Sequence, residues 1–150
     1  MNGWLLDTNV IAELARRGGE PRVLSWAAAQ DEARLFISVL TLAEYDQGVH
    51  NLPPASPARA RIEAEVAGLE RRFAGRVLSV GDAVVRRWGR IGGMVRAATG
   101  RAPPVIDALL AATAIEHGLH LVTRNVRDVR TTGASVFDPW RDDPAGFALA

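Results

Sequence analysis

Residues 4–10, WLLDTNV, join a short apolar run to an aspartate, a threonine and an asparagine, with no glycine or proline between them. The run of residues 4–6 reads as a buried strand. A strand that ends on a carboxylate poses a choice. Asp7 can cap the helix that follows, or it can stand at the carboxyl edge of a sheet as a reactive group. Which role holds depends on whether other segments bring partners to the same edge.

Further β-prone runs occur at residues 34–38 (RLFIS), 76–80 (RVLSV), 119–123 (LHLVT) and 135–137 (SVF), with helical periodicity between them. Strands alternating with helices predict an α/β fold, a three-layer α/β/α sandwich around a mostly parallel sheet. Two short helices follow the first strand. A third, over residues 39–51, carries Leu42, Tyr45 and Val49 at spacings of three and four. The break NLPPASP precedes a fourth helix capped by Ser56, with Pro57 in its first turn and the stripe Ile62, Val66, Leu69 and Phe73. Helices three and four are expected to form an antiparallel pair. A fifth, over residues 82–98, has the stripe Val84, Val85, Trp88, Ile91 and Val95. Pro103 and Pro104 lead into a sixth, which Gly118 closes. No repeat or interdomain linker interrupts residues 1–150, which read as a single domain.

A chain of 150 residues buries about two-thirds of the surface its unfolded form exposes, enough for one core. The absence of cysteine excludes thiol catalysis and Cys-ligated zinc or iron–sulfur sites, and it suits a reducing cytoplasm. Neither a signal-peptide pattern nor an apolar run of the roughly 20 residues needed to cross a bilayer is found, so a soluble, cytoplasmic protein without membrane attachment is expected. All 18 basic residues are arginine, against 17 acidic ones. Without lysine there is no P-loop or Schiff-base chemistry, and with a net charge of +1 any nucleic-acid affinity must come from local patches.

In open parallel sheets, ligands sit beyond the carboxyl ends of the strands. By that rule Asp7, Glu44, Asp107 and Asn125 are candidate site residues, with Asp128 close behind. Each also has a structural reading: Asp7 and Asp107 as helix-terminal anions, Glu44 as a solvated charge, Asn125 as a turn residue. Taken together, converging carboxylates repel one another unless a cation is present. An all-oxygen set suits Mg²⁺, with Mn²⁺ as the alternative, and such an ion can orient a phosphate and acidify an attacking water.

The segments LLDTNVIAEL, TLAEYDQGV, IDALLAATAIEHGLHLVTRNVRD and VFDPW resemble PIN-domain ribonucleases of the VapC and FitB toxin type, over residues 5–140. The resemblance implies an α/β/α sandwich, RNA cleavage at a divalent metal, and inhibition by a cognate antitoxin. It matches Asp7 and Asp107 to the principal metal ligands and Glu44 to the third acid, with Thr8 orienting groups nearby. Asn125 departs from the pattern. Many relatives carry aspartate there, and asparagine offers a neutral oxygen instead.

The leading expectation is therefore a Mg²⁺-dependent endoribonuclease, the toxin of a toxin–antitoxin pair and a homodimer, whose helix pair over residues 39–73 carries the protein contacts. The alternative is a catalytically weak PIN-like module that binds RNA or a partner protein. A haloacid-dehalogenase-like phosphatase would need an acid where Asn9 stands, and a lysine. No nucleophile elbow surrounds any serine. His117 and His120 bracket a helix end and read as structural. Arg86, Arg90, Arg96 and Arg101 are candidate phosphate contacts, while Trp4, Trp26, Trp88 and Trp140 read as core or interface anchors.

Overall fold

The computed structural model describes residues 1–150. Five parallel strands form one sheet: β1 (Trp4–Leu6), β2 (Leu35–Ser38), β3 (Val77–Leu78), β4 (His120–Val122) and β5 (Val136–Phe137), in the order β3-β2-β1-β4-β5. The first strand is central because its side chains are apolar on both faces. Trp4 and Leu6 enter one core cluster with Leu35, Ile37, Val122 and Phe137, whereas Leu5 points into a second with Leu110, Ala111 and Leu121. This is the alternation a strand buried on both sides requires.

Helices cover both faces, as the alternating pattern predicted. On the Trp4 face lie α1 (Thr8–Ala15), α2 (Pro21–Ala28), α3 (Val39–His50) and α4 (Pro57–Arg72), supplying Val10, Ile11, Val23 and Trp26 with Leu42, Tyr45 and Leu69 packed beside them. On the Leu5 face lies α6 (Val105–His117), backed by α5 (Asp82–Thr99) through Val84, Ile91, Val95 and Ala112. A short α7 (Val126–Val129), which the apolar pattern did not predict, follows β4 and inserts Val129 into the same cluster. No helix is long and apolar enough to cross a membrane.

Two glycines act on the positions of the site strands. A side chain on Gly3 would place its Cβ 2.5 Å from the Arg34 carbonyl oxygen, so glycine lets β1 approach the chain entering β2. Gly118 adopts φ +61°, ending α6 and turning the chain directly into β4.

Three local expectations are revised. Val85 is 43% exposed and lies off the buried stripe of α5. Ser56 precedes α4 but makes no side-chain cap bond, leaving Pro57 to define the first turn. The run at 76–80 contributes only two residues of strand, because β3 is an edge paired on one side alone.

Candidate active site

The parallel register aligns strand ends. Leu6 pairs with Ile37 on one side and Val122 on the other, so Asp7, Ser38 and Thr123 emerge together at the carboxyl edge. Asp7 is 8% exposed and does cap α1: its Oδ1 accepts the Thr8 N–H at 2.7 Å. Its other oxygen accepts from Thr123 Oγ1 at 2.7 Å and from Asn9 Nδ2 at 3.2 Å. The two readings of Asp7 are thus compatible, since one oxygen serves the helix and the other the site.

Asp7, Glu44, Asp107 and Asn125 all line one open cleft of about 470 Å³, together with Thr8 and Asn9. Glu44 reaches it from the middle of α3, where its Oε1 accepts from Thr8 Oγ1 at 3.1 Å. Thr8 Oγ1 also lies 3.1 Å from the buried Thr41 hydroxyl. Asp107 stands in the first turn of α6 but makes no cap bond. Its Oδ2 instead accepts from Asn125 Nδ2 at 3.3 Å, and the same amide donates to Asp128 Oδ2 at 2.8 Å. Asn125 therefore faces the acids with its N–H₂ rather than with the carbonyl oxygen expected of a ligand, and Asp128 joins the site through it.

The electrostatics record the crowding of charge. Burial holds the Asp7 carboxyl above the ordinary carboxylate range against hydrogen bonds that oppose the shift. Burial, and then the charge of Asp7, raises Glu44. Asp107 is pushed up to about 6, first by burial and then by the charges of Asp7, Asp128 and Glu44. No three His, Cys, Asp or Glu side chains stand close enough to form a ready-made metal shell. Mg²⁺ does not demand one, because it is commonly held by one or two carboxylates and keeps several waters. In hardness and charge the donor set fits that ion.

Thr123 was not singled out from sequence. Its buried hydroxyl donates to Asp7 and accepts from Asn125 N at 3.0 Å and Asn9 Nδ2 at 3.1 Å, linking both halves of the site. The strand-end rule that found Asp7 also reaches Thr123. It reaches Asp138 too, but that buried acid accepts from Trp140 N at 2.9 Å and caps a turn outside the cleft. His120 opens β4, bonded to Ser135 and to the Ala148 carbonyl, and serves structure as expected. Trp4 and Trp26 meet edge to face in the core.

A family model described as PIN domain matches residues 4–133. The chain belongs to the PIN-domain family. Among curated relatives of this PIN domain, the plasmid stability protein StbB of Pseudomonas syringae pv. tomato is 35% identical over 91% of this chain and 97% of its own length. The VapC ribonuclease Y4jK of Sinorhizobium fredii is 33% identical over 91% and 96%, and the toxin FitB of Neisseria gonorrhoeae 31% over 92% and 99%. The crystal structure of FitAcB from Neisseria gonorrhoeae superposes with a TM-score of 0.80 at 29% identity, over 91% of this chain and 98% of that one.

Proposed function

We propose that this PIN domain is a Mg²⁺-dependent endoribonuclease and the toxin of a toxin–antitoxin pair. The observation that carries the reading is one cleft that gathers Asp7, Glu44 and Asp107 from three separate segments, where burial and then the charge of Asp7 raise the proton affinity of Glu44, and burial and then the charges of Asp7, Asp128 and Glu44 raise that of Asp107. Such a cleft carries excess negative charge that a hard divalent cation neutralises. Similarity to a relative named a VapC ribonuclease and to one named a toxin supports the activity and its setting.

Asp7, Glu44 and Asp107 would hold Mg²⁺, or Mn²⁺ in its place. When bound, the ion supplies electrostatic stabilisation of a phosphodiester and acidifies water. The chain's own residues do the positioning. Thr123 and Asn9 fix the Asp7 oxygen that faces Thr123, and Asn125 fixes Asp107. Glu44, exposed and tethered by Thr8, would serve either beside the ion or by taking the proton of an attacking water. The partners in this reading are RNA, a cognate antitoxin and a second copy of the chain.

The absence of a preassembled three-acid shell favours a second reading, a PIN module that binds RNA or a partner with little cleavage. Incubation of total RNA with the purified protein in Mg²⁺, in Mn²⁺ and in EDTA, beside Asp7→Asn, separates the two. The nuclease reading expects metal-dependent fragments from wild type alone. Intact RNA throughout, from a folded protein, supports the binding module.

A further inference from the structure

The acidic cleft contains no arginine, so nothing in it holds a polyanion away from the cation. A second groove, of about 570 Å³, adjoins it between the C-terminal end of α5, the loop leading into α6, and α7. The grooves meet at one hydrogen bond: Asn125 lines the acidic cleft and Asp128, which accepts its amide at 2.8 Å, lines the second. Into that second groove come Arg101, Arg127 and Arg130.

These three guanidinium groups are distinct from the arginines that serve the fold. Arg16, Arg59, Arg72, Arg76 and Arg87 are each paired with a glutamate, whereas Arg101, Arg127 and Arg130 form no ion pair and are exposed. Arg127 and Arg130 sit three apart along α7 and its C-terminal end, a spacing that puts them on one side of the turn. The only carboxylate among them, Asp128, is engaged by Asn125. In a chain of net charge +1, three unpaired arginines in one groove are a local concentration of positive charge. Arg86 and Arg90, which the sequence equally suggested, are exposed on α5 and line neither groove.

We infer that the groove of Arg101, Arg127 and Arg130 is the path of the substrate strand beside the cleavage site, holding the phosphates that flank the scissile one. The inference rests on the proposed ribonuclease function and specifies how single-stranded RNA lies on it. Forked guanidinium groups suit phosphate oxygens, and contacts to the backbone hold a strand in place without reading its bases. The site thus divides the labour: carboxylates for the cation, arginines for the polyanion.

The test is fluorescence anisotropy with a labelled single-stranded RNA oligonucleotide in EDTA, at several salt concentrations, alongside RNA cleavage in Mg²⁺. Wild type is compared with Arg101→Ala, Arg127→Ala, Arg130→Ala, the triple variant and Arg90→Ala, all checked for unchanged Tm. The triple variant should bind on the order of tenfold or more weakly, with the slope of log K against log salt shallower by roughly 0.7 for each phosphate that is no longer neutralised. Arg90→Ala should match wild type. Wild-type affinity and slope in the triple variant, with cleavage by wild type intact, would overturn the groove and leave the nuclease. Binding that depends on the three arginines without any cleavage would keep the groove and remove the nuclease, and a wild type that neither binds nor cleaves RNA removes both.

Discussion

The Asn125 side-chain amide donates to the Asp107 carboxylate at 3.3 Å, and this hydrogen bond opposes the upward shift of that acid. It lowers the proton affinity of Asp107, but burial and neighbouring acids outweigh it and hold the group at about 6. Between roughly pH 4, where such a carboxyl titrates in an unfolded chain, and pH 6, the folded protein binds more protons than the unfolded one. Metal-free stability attributable to Asp107 therefore falls as pH rises through that window and stays low above it. Mg²⁺ should raise Tm more at pH 7.5 than at pH 5. Asp107→Asn should be at least as stable as wild type at pH 7.5 without metal, should lose most of the Mg²⁺ response, and should cleave RNA at less than about a hundredth of the wild-type rate. Calorimetry in EDTA and in Mg²⁺ reads the first two, and a Mg²⁺ shift equal at both pH values would show that Asp107 does not face the cation.

Thr123 supports the second prediction. Thr123→Val keeps the volume but removes the donor to Asp7 and the acceptor for Asn125 N and Asn9. Leaving buried partners unsatisfied costs about 1–3 kcal/mol. For a chain of this size Tm should drop by roughly 3–10 °C, and activity should fall with it. Thr123→Ser, which restores the hydroxyl, should recover most of both. A valine variant that melts and cleaves like wild type would make the hydroxyl incidental.

The sequence disclosed the fold and the acids for a common reason. Buried parallel strands leave continuous apolar runs, and their ends are marked where the run stops, as at Asp7. Hydrogen-bond direction carries no such mark. Thr123 and Asp7 are 116 residues apart, and only the register of β1 with β4 brings hydroxyl and carboxylate together. Asn125 was legible as a position but not as a donor, since an amide has both faces and only its neighbours select one. Of the arginines, Arg101 was named from the sequence beside Arg86, Arg90 and Arg96, whereas the choice of Arg127 and Arg130 depends on α7, a single turn too short to show periodicity.

A third prediction concerns the helix pair expected to carry protein contacts. α3 and α4 pack together and, with α1, frame a small apolar cleft of about 220 Å³ lined by Ile11, Leu14, Tyr45 and Leu69. An amphipathic partner helix suits such a groove. Leu69→Arg should abolish co-purification with the proposed cognate antitoxin while leaving RNA cleavage by the free chain unchanged. Retention of the partner by a folded Leu69→Arg protein would move the interface elsewhere.

The last prediction turns on replacing the amide by a charge. Asn125→Asp removes the N–H₂ that bridges Asp107 and Asp128 and sets a third carboxylate between them. Without metal, this should raise the proton affinity of the cluster and lower Tm at pH 7.5 relative to pH 5. With metal the sign reverses, because an added anionic oxygen draws a hard cation more strongly. The Mg²⁺ concentration at half-maximal cleavage should then fall several-fold. If Asn125 instead serves by keeping Asp107 ionised and oriented, the variant will cleave more slowly at every Mg²⁺ concentration. Cleavage rate titrated against Mg²⁺ for both proteins distinguishes a shifted midpoint from a lowered plateau. The shifted midpoint is expected, because the mutual repulsion that makes the metal-free variant less stable is the same charge that binds the ion.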